Sequence, residues 1–318
     1  MKAYIIKRLL SMIPVLLIVA VFVFFLIHFI PGDPASVMLG PEATPEEVEN
    51  LREQLGLNLP IYQQFLQWFG NLFQGDLGQS VYMDMPVIQA FAEHIGPTFS
   101  LALLAQGVSI LIAIPIGVLA ARKRGTHVDR TFMLIAMLGM SIPSFLLALL
   151  LMLVFGVKLQ WLPVAGYEEL ASGLWEHVKY LILPALSLGA IQAAVISRMT
   201  RSSMIDILSM NYIKTAKAKG VKERVIIYKH AFRNAFIPIL TILGETFGSL
   251  ITGAVVTETV FNLPGIGQLV VNAITRRDYA VIQGTILLIA ATYLVLNLLI
   301  DLLYGVVDPR VRLNRKSS

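Results

Sequence analysis

Six apolar stretches, each long enough to cross a lipid bilayer, constrain this chain more than any other feature of its sequence. They lie at about residues 9–30, 98–121, 131–156, 178–197, 236–257 and 281–305, and a helix needs about 20 apolar residues to span the hydrocarbon core. Because lipid offers no hydrogen-bond partners to the backbone, spanning segments form helices or closed barrels. The predicted fold class is therefore an all-α polytopic membrane protein with six transmembrane helices.

The composition of the chain agrees with a membrane location. Of 318 residues, 56% are hydrophobic and 14% are charged, whereas about a quarter of the residues in a soluble domain are charged. The first apolar stretch begins with basic residues, as a signal peptide does, but its apolar run is longer and no small-residue cleavage site follows it. We therefore expect this stretch to remain as the first transmembrane helix.

Basic residues indicate which side of the membrane each loop occupies. Lys and Arg are concentrated at the N-terminus, in the loop after the second stretch, in the connection at 198–233 and in the C-terminal tail. Since cytoplasmic loops carry an excess of basic residues, we predict that both termini and both loops lie in the cytoplasm. The net charge of +5 is then a topology signal. No nucleic acid partner is expected, because a nucleic-acid surface would gather its charge on one soluble face.

Three regions are predicted along the chain. Residues 1–30 are the N-terminus and the first transmembrane helix, and residues 31–97 are an ordered external segment with amphipathic helices. Residues 98–318 are a five-helix transmembrane core, whose cytoplasmic loop lies at 198–235. In the external segment, Thr44 and Glu47 form a capping box around Pro45. Gly56 ends the helix that they start. A second amphipathic helix begins near Pro60.

A short helix is predicted inside the basic loop. Asn211 is a suitable N-cap, and Gly220 ends the helix at 212–219. The small residues Ala216 and Ala218 would let a partner approach closely. A second helix follows, whose apolar face is formed by Val221, Val225, Tyr228 and Phe232. Such a helix can project from a bundle as a coupling element, but taken alone a basic loop between spans is ordinarily only a solvated topology signal.

Motifs of catalysis and nucleotide binding are missing from the sequence. There is no G-x-x-x-x-G-K-[ST], no G-x-S-x-G, no H-E-x-x-H and no cysteine. We therefore expect no enzyme activity, metal site or cofactor in this chain, and any ATP must be bound elsewhere. Ionisable residues in the apolar stretches are few, with Glu245 and Asp301 the deepest. Ion-coupled carriers usually need more of them, so this class and a membrane enzyme are the less favoured alternatives.

Several motifs together resemble one family of transport proteins. They occur in order along nearly the whole chain: IPGDP at 30–34, GDLGQS at 75–80, NYIKTAKAKG at 211–220, HAFRNAFIP at 230–238, ETVFNLPGIG at 258–267, RRDY at 276–279 and DLLYGVVDPRVR at 301–312. This series resembles the B-type subunit of the ABC-importer permeases that serve dipeptides, oligopeptides and nickel. One departure is that Lys214, Thr215 and Ala216 stand where many ABC permeases have Glu-Ala-Ala.

The resemblance implies a type I importer fold, a function and a set of partners. The chain would form a heterodimer with a second, similar permease in the cytoplasmic membrane of a bacterium or archaeon. Two cytoplasmic ATPases would bind ATP and Mg, and an external binding protein would deliver a di- or oligopeptide; nickel or a nickel chelate is the alternative cargo. The residues implied in ATPase coupling are Asn211, Tyr212, Thr215, Ala216, Ala218, Lys219 and Gly220.

Polar residues in the apolar stretches are candidates for the translocation cavity. Glu245 is costly in lipid, so it should face the bundle interior or a wet cavity, where it could contact a peptide amino group. A hydrogen-bonded packing role is the alternative. Gln106 and Gln192 are weaker candidates of the same kind, because interhelical amide hydrogen bonds commonly serve packing.

Overall fold

The computed structural model describes residues 2–28, 33–40, 42–54 and 56–307. The first three residues of the IPGDP motif, at 30–32, and the basic C-terminal tail, at 308–318, lie outside the described residues. The helices and strands follow one another as α1 (Lys2–His28), α2 (Pro34–Leu39), α3 (Pro45–Gln54), α4 (Ile61–Phe73), β1 (Gln79–Ser80), β2 (Met85–Pro86), α5 (Val87–Arg122), α6 (His127–Ser141), α7 (Ser144–Leu151), α8 (Leu174–Ser209), α9 (Asn211–Ala218), α10 (Glu223–Val225), α11 (Arg233–Gly253), α12 (Val255–Phe261), α13 (Ile266–Arg276) and α14 (Tyr279–Val307). Two π-helical turns, Met152–Lys158 after α7 and Ile226–Phe232 between α10 and α11, and a 3₁₀ turn at Leu170–Ser172 complete the elements.

The described chain has five helices that are long and apolar enough to cross a membrane. A sixth is obtained if the pair α6 and α7, bent by 97°, counts as one span. The all-α polytopic fold is confirmed. The bend lies between Ser141 and Ser144, where Ile142 takes an extended conformation and Pro143 precedes α7. Proline lacks an N–H and disfavours helical geometry at the residue before it, so the third apolar stretch is broken.

The helices fall into two compact units. The first unit comprises residues 1–96 and 264–295, and the second comprises residues 97–263 and 296–318. In the first unit, the Ser80 hydroxyl at the β1–β2 hairpin donates to the Asp278 carboxylate at 2.6 Å, and Asp278 also accepts from the Val281 backbone N–H at the start of α14. This buried carboxylate therefore ties the hairpin to the start of the last helix.

The capping box predicted at the start of α3 is confirmed. The Glu47 carboxylate accepts from the Thr44 backbone N–H at 2.8 Å, and the Glu47 backbone N–H donates to the Thr44 hydroxyl oxygen at 3.3 Å. The Thr44 hydroxyl also donates to this carboxylate at 2.8 Å, and the two hydrogen bonds that Thr44 donates hold the pKa of Glu47 below its usual value. Gly56 has φ +67°, a conformation that glycine adopts without a steric penalty, and it ends this helical segment as predicted.

In the second unit, glycines let α5 and α8 approach closely. A Cβ at Gly117 would lie 2.7 Å from the Ser197 carbonyl oxygen, and a Cβ at Gly189 would lie 2.7 Å from the Ala105 carbonyl oxygen. Small residues at such crossings allow backbone contact and strong dispersion between membrane helices. Helices α5 and α8 are thus closely packed in this unit, and the buried cluster Leu101, Ala102, Ala105, Leu181, Leu183, Ala185 and Leu188 lies between them and their neighbours.

Candidate functional site

The basic loop forms the short helix α9 immediately after α8. Met210 alone separates the two helices, and its extended backbone (φ −67°, ψ 150°) makes it both the C-cap of α8 and the N-cap of α9. The N-cap predicted at Asn211 is therefore wrong. Asn211 is the first helical residue, and its side-chain oxygen accepts from the Lys214 ammonium at 3.3 Å. Propensity favoured Asn as the cap, but the extended turn that ends α8 occupies that position.

The C-terminal end of α9 follows the prediction. Gly220 has φ +73°, its N–H donates to the Lys217 carbonyl at 3.0 Å, and the Val221 N–H donates to the Ala216 carbonyl at 3.2 Å. These two bonds and the left-handed glycine form a Schellman motif. Lys219, the last residue before this glycine, is the C-cap of α9.

One side of α9 packs against the chain itself. Ile213 is completely buried, and Ala216 is half-buried against the same apolar cluster. The other buried members of this cluster, which we call the loop cluster, are Val118, Ala121, Met204, Ile226, Ile227, Ala231, Ala235 and Ile239. Ala216 is therefore oriented at least partly toward its own chain.

The opposite side of α9 is exposed. Asn211, Thr215 and Ala218 follow one another at helical spacing of four and three residues, and all three are exposed. These three predicted coupling residues form one continuous exposed side; the predicted residues Tyr212, Lys219 and Gly220 are exposed as well.

Tyr212 fastens α9 to the next turn of the chain. Its hydroxyl donates to the His230 carbonyl at 3.3 Å and accepts from the Asn234 amide at 2.9 Å. The Asn234 amide also donates to the His230 carbonyl at 2.8 Å. Together with buried Ile213, this network holds α9 against the first turns of the helix that leads into α11.

Half of the apolar face predicted for that next helix is confirmed, because Val221 and Phe232 pack against the loop cluster. The other half is wrong. Val225 and Tyr228 are exposed, while Ile226, Ile227 and Ala231 are buried in the loop cluster. The reason is the π-helical turn at Ile226–Phe232. Its i→i+5 hydrogen bonds bring residues five apart into line, as with Ile226 and Ala231, whereas the prediction assumed 3.6 residues per turn.

Two ion pairs near α9 were not found from the sequence. Arg122 at the end of α5 pairs with Glu223 at the start of α10 through two bonds of 2.9 and 3.1 Å. Arg201 on α8 pairs with Asp129 on α6 through two bonds of 2.5 and 2.8 Å, and the Asp129 side chain is 5% exposed. Bidentate geometry fixes orientation as well as distance, so one pair joins the end of α5 to the start of α10 and the other joins α8 to the start of α6. Partners 101 and 72 residues apart leave no local sequence signal.

The candidates for a translocation cavity meet on one stretch of α11. Gln106 is buried and donates to the Thr246 hydroxyl and the Leu243 carbonyl, both at 3.4 Å, which is a packing geometry. Gln192 donates to the Ser249 hydroxyl at 2.9 Å. Glu245 lies four residues before Ser249 on the same side of α11, and both are exposed. The structure thus links half-buried Gln192 to the exposed strip of Glu245 and Ser249 on α11, whereas Gln106 packs against a buried side of that helix.

A buried carboxylate at the start of α12 also escaped prediction as a site. Glu258 is 1% exposed and accepts from the Thr98 hydroxyl at 2.6 Å. An isolated glutamate within the apolar run at 254–261 is a signal that could have indicated it, because a carboxylate in such a setting needs a hydrogen-bond partner.

Comparison with known proteins identifies the family of this chain. Residues 113–313 match the model of the family described as binding-protein-dependent transport system inner membrane component, and residues 1–102 match the model of the N-terminal part of such components. The chain belongs to this family. Its members are permease subunits of ABC transporters, multi-pass membrane proteins that work with an ATPase and a substrate-binding protein.

Full-length relatives support the assignment. The chain is 43% identical over 312 residues to the probable peptide ABC transporter permease protein y4tP of Sinorhizobium fredii. The match covers 98% of this chain and 100% of the relative. It is 44% identical over 312 residues to the glutathione transport system permease protein GsiC of Escherichia coli K12, covering 98% and 99%. The resemblance stated from the motifs is confirmed.

A solved structure supports the fold. A chain of the MetNI methionine ABC transporter, in an inward facing conformation, superposes with a TM-score of 0.59 at 18% identity, over 69% of this permease and 97% of that chain. At this identity the likeness concerns the fold, and it agrees with the predicted importer architecture.

Proposed function

We propose that this permease is one half of a heterodimeric pathway through which di- or oligopeptides enter the cell. The proposal rests on the 43% and 44% sequence identity, over nearly the full length, to permeases named for peptide and glutathione transport. Glutathione is itself a small peptide. An external binding protein selects the peptide, and two cytoplasmic ATPases, which bind ATP and Mg, drive the pathway.

The geometry around α9 supports a role as the coupling lever. The exposed side with Thr215 and Ala218 meets an ATPase, and the buried side with Ile213 passes the displacement to the loop cluster, which includes residues of α5, α8 and α11. ATP-dependent closure of the ATPases then favours the arrangement of helices that makes better contacts, and the pathway opens to the other side. Weak substrate contacts suffice in the pathway, since tight binding would slow release.

Uptake by the purified transporter tests this proposal. The complex, reconstituted in liposomes with its binding protein, should accumulate a radiolabelled dipeptide or glutathione when ATP is supplied. It should not accumulate the peptide when the ATPase subunits carry an inactivating substitution. Uptake of nickel but not of peptide would replace the proposed cargo, and uptake by this chain alone, driven by an ion gradient, would contradict the importer mechanism.

Glu245 is expected to contribute to peptide passage. In the described part of the chain it makes no ion pair, and it shares the exposed strip of α11 with Ser249. A charge-assisted hydrogen bond is worth about 1.5–3 kcal/mol, so Glu245→Ala should lower peptide uptake by about tenfold. Glu245→Gln keeps the shape without the charge and serves as the matched variant. Normal uptake by both variants, at normal yield of the complex, would reduce Glu245 to a packing residue.

The orientation of the chain can be tested with single cysteines, because the native sequence has none. We expect a cysteine at Glu49 to react with an impermeant maleimide in cells whose cytoplasmic membrane is intact. A cysteine at Lys316 should react only after that membrane is permeabilised, since basic segments stay in the cytoplasm. The reverse labelling pattern would invert the topology.

A further inference from the structure

Helix α4 has three distinct sides. On the first, Phe65 and Trp68 contact Phe24 of α1, with ring centroids 5.1 and 5.5 Å apart, and Phe65 also stacks on Phe25 at 6.4 Å. Aromatic contacts of this kind combine a large buried area with a preferred geometry. Helix α4 is thereby attached to the C-terminal end of α1.

The second side of α4 is apolar and uncovered in the described chain. Tyr62, Leu66 and Phe73 are 63%, 64% and 78% exposed, and their spacing of four and seven residues places them together. The third side carries the uncharged polar residues Gln63, Gln67 and Asn71. A helix with an apolar outer side in addition to its apolar inner side is unfavourable in contact with water on both sides.

The position of α1 determines which environment this outer side meets. Residues Ile5–Leu26 of α1 form a 22-residue candidate membrane span, close to the about 20 residues that cross the hydrocarbon core. Phe24 and Phe25 therefore lie at the boundary between hydrocarbon and headgroups. Through its ring contacts with these residues, α4 is held at the same boundary.

We infer that the outer side of α4 inserts into lipid at the membrane interface, at the level where α1 ends. Lipid is the occupant because this side continues the apolar surface of a membrane-spanning helix. No charged residue lies between Leu57 and Gln74, so insertion depends on apolar area and not on anionic headgroups. The inference requires neither the proposed substrate nor the proposed orientation.

Fluorescence quenching by brominated lipid tests the inference in the assembled transporter. Single cysteines at Leu66 and at its neighbour Gln67, on the polar side, are labelled with bimane in nanodiscs of brominated phosphatidylcholine. The Leu66 label should be quenched about threefold more than the Gln67 label, and aqueous iodide should show the opposite order. Labels at Phe73 and Asn71 form a second pair in case one variant fails to assemble.

Two results would overturn the inference. Equal quenching of both labels by lipid, together with quenching of the Leu66 label by iodide, would place this side in water. Protection of the Leu66 and Phe73 labels from both quenchers would show that another protein covers it. Replacement of about 30% of the lipid by phosphatidylglycerol should leave the quenching ratio unchanged, and a strong dependence on this lipid would contradict the apolar mode of insertion.

Discussion

Replacing Ile213 by aspartate should disconnect ATP hydrolysis from transport. Ile213 is completely buried in the loop cluster, and its burial contributes about 2–3 kcal/mol to holding α9 in place. A lone carboxylate at this position would cost several kcal/mol to bury, which exceeds what the hydrogen bonds of Tyr212 can offset at about 0.5–1.5 kcal/mol each. Helix α9 should therefore detach from the loop cluster.

The measurement is ATPase retention and peptide-stimulated hydrolysis of the purified complex, where we expect a loss of at least about tenfold. Ile213→Val removes one methylene at a cost of about 0.5–1.5 kcal/mol and should keep most of the coupling. Lys222→Ala, at an exposed position beyond Gly220, is the surface control. Unchanged stimulation in Ile213→Asp, with the ATPases still bound, would mean that α9 is not the coupling element.

Replacing Gly189 by valine should strongly destabilise the transmembrane core. A Cβ at this position would lie 2.7 Å from the Ala105 carbonyl oxygen and 3.0 Å from the Val108 side chain. Backbone cannot yield as a flexible side chain can, so α5 and α8 would have to separate. Overpacking of this kind costs about 1–3 kcal/mol or more, and the separation would also open the buried cluster around Leu101 and Leu188.

The yield of monodisperse protein and its unfolding temperature in detergent would show the effect. Gly107→Val is the control, because Gly107 lies on α5, the helix that Gly189 of α8 approaches, and a Cβ there meets no atom within 4 Å. We expect a several-fold lower yield for Gly189→Val and a near-normal yield for Gly107→Val. Equal yields and equal unfolding temperatures for the two variants would show that α5 and α8 do not depend on this close approach.

Features controlled by local chemistry were predictable from the sequence. The apolar length of each stretch determined where membrane helices form, because the bilayer demands a fixed number of residues and satisfied backbone groups. The capping box at Thr44 and the glycine stop at Gly220 were predictable for the same reason, since each satisfies backbone groups within a few residues. Family membership followed from motifs spread over the whole chain.

Features that depend on packing between distant segments were decided only by the tertiary structure. The π-helical turn at Ile226–Phe232 changed which side chains enter the loop cluster, and a periodicity of 3.6 residues cannot indicate such a turn in advance. The small side chain of Ala216 predicts close contact with a partner, yet Ala216 packs partly against its own chain because Ile213 is buried on the same side of α9.

The polar contacts that complete the site divide in the same way. Sequence alone established that Glu245 and Gln192 are costly in lipid and so need partners or water. Only the fold placed Gln192 beside Ser249 and joined Asp129 to Arg201. A carboxylate or amide specifies that a partner must exist, whereas the identity of that partner is set by which helices the packing brings together.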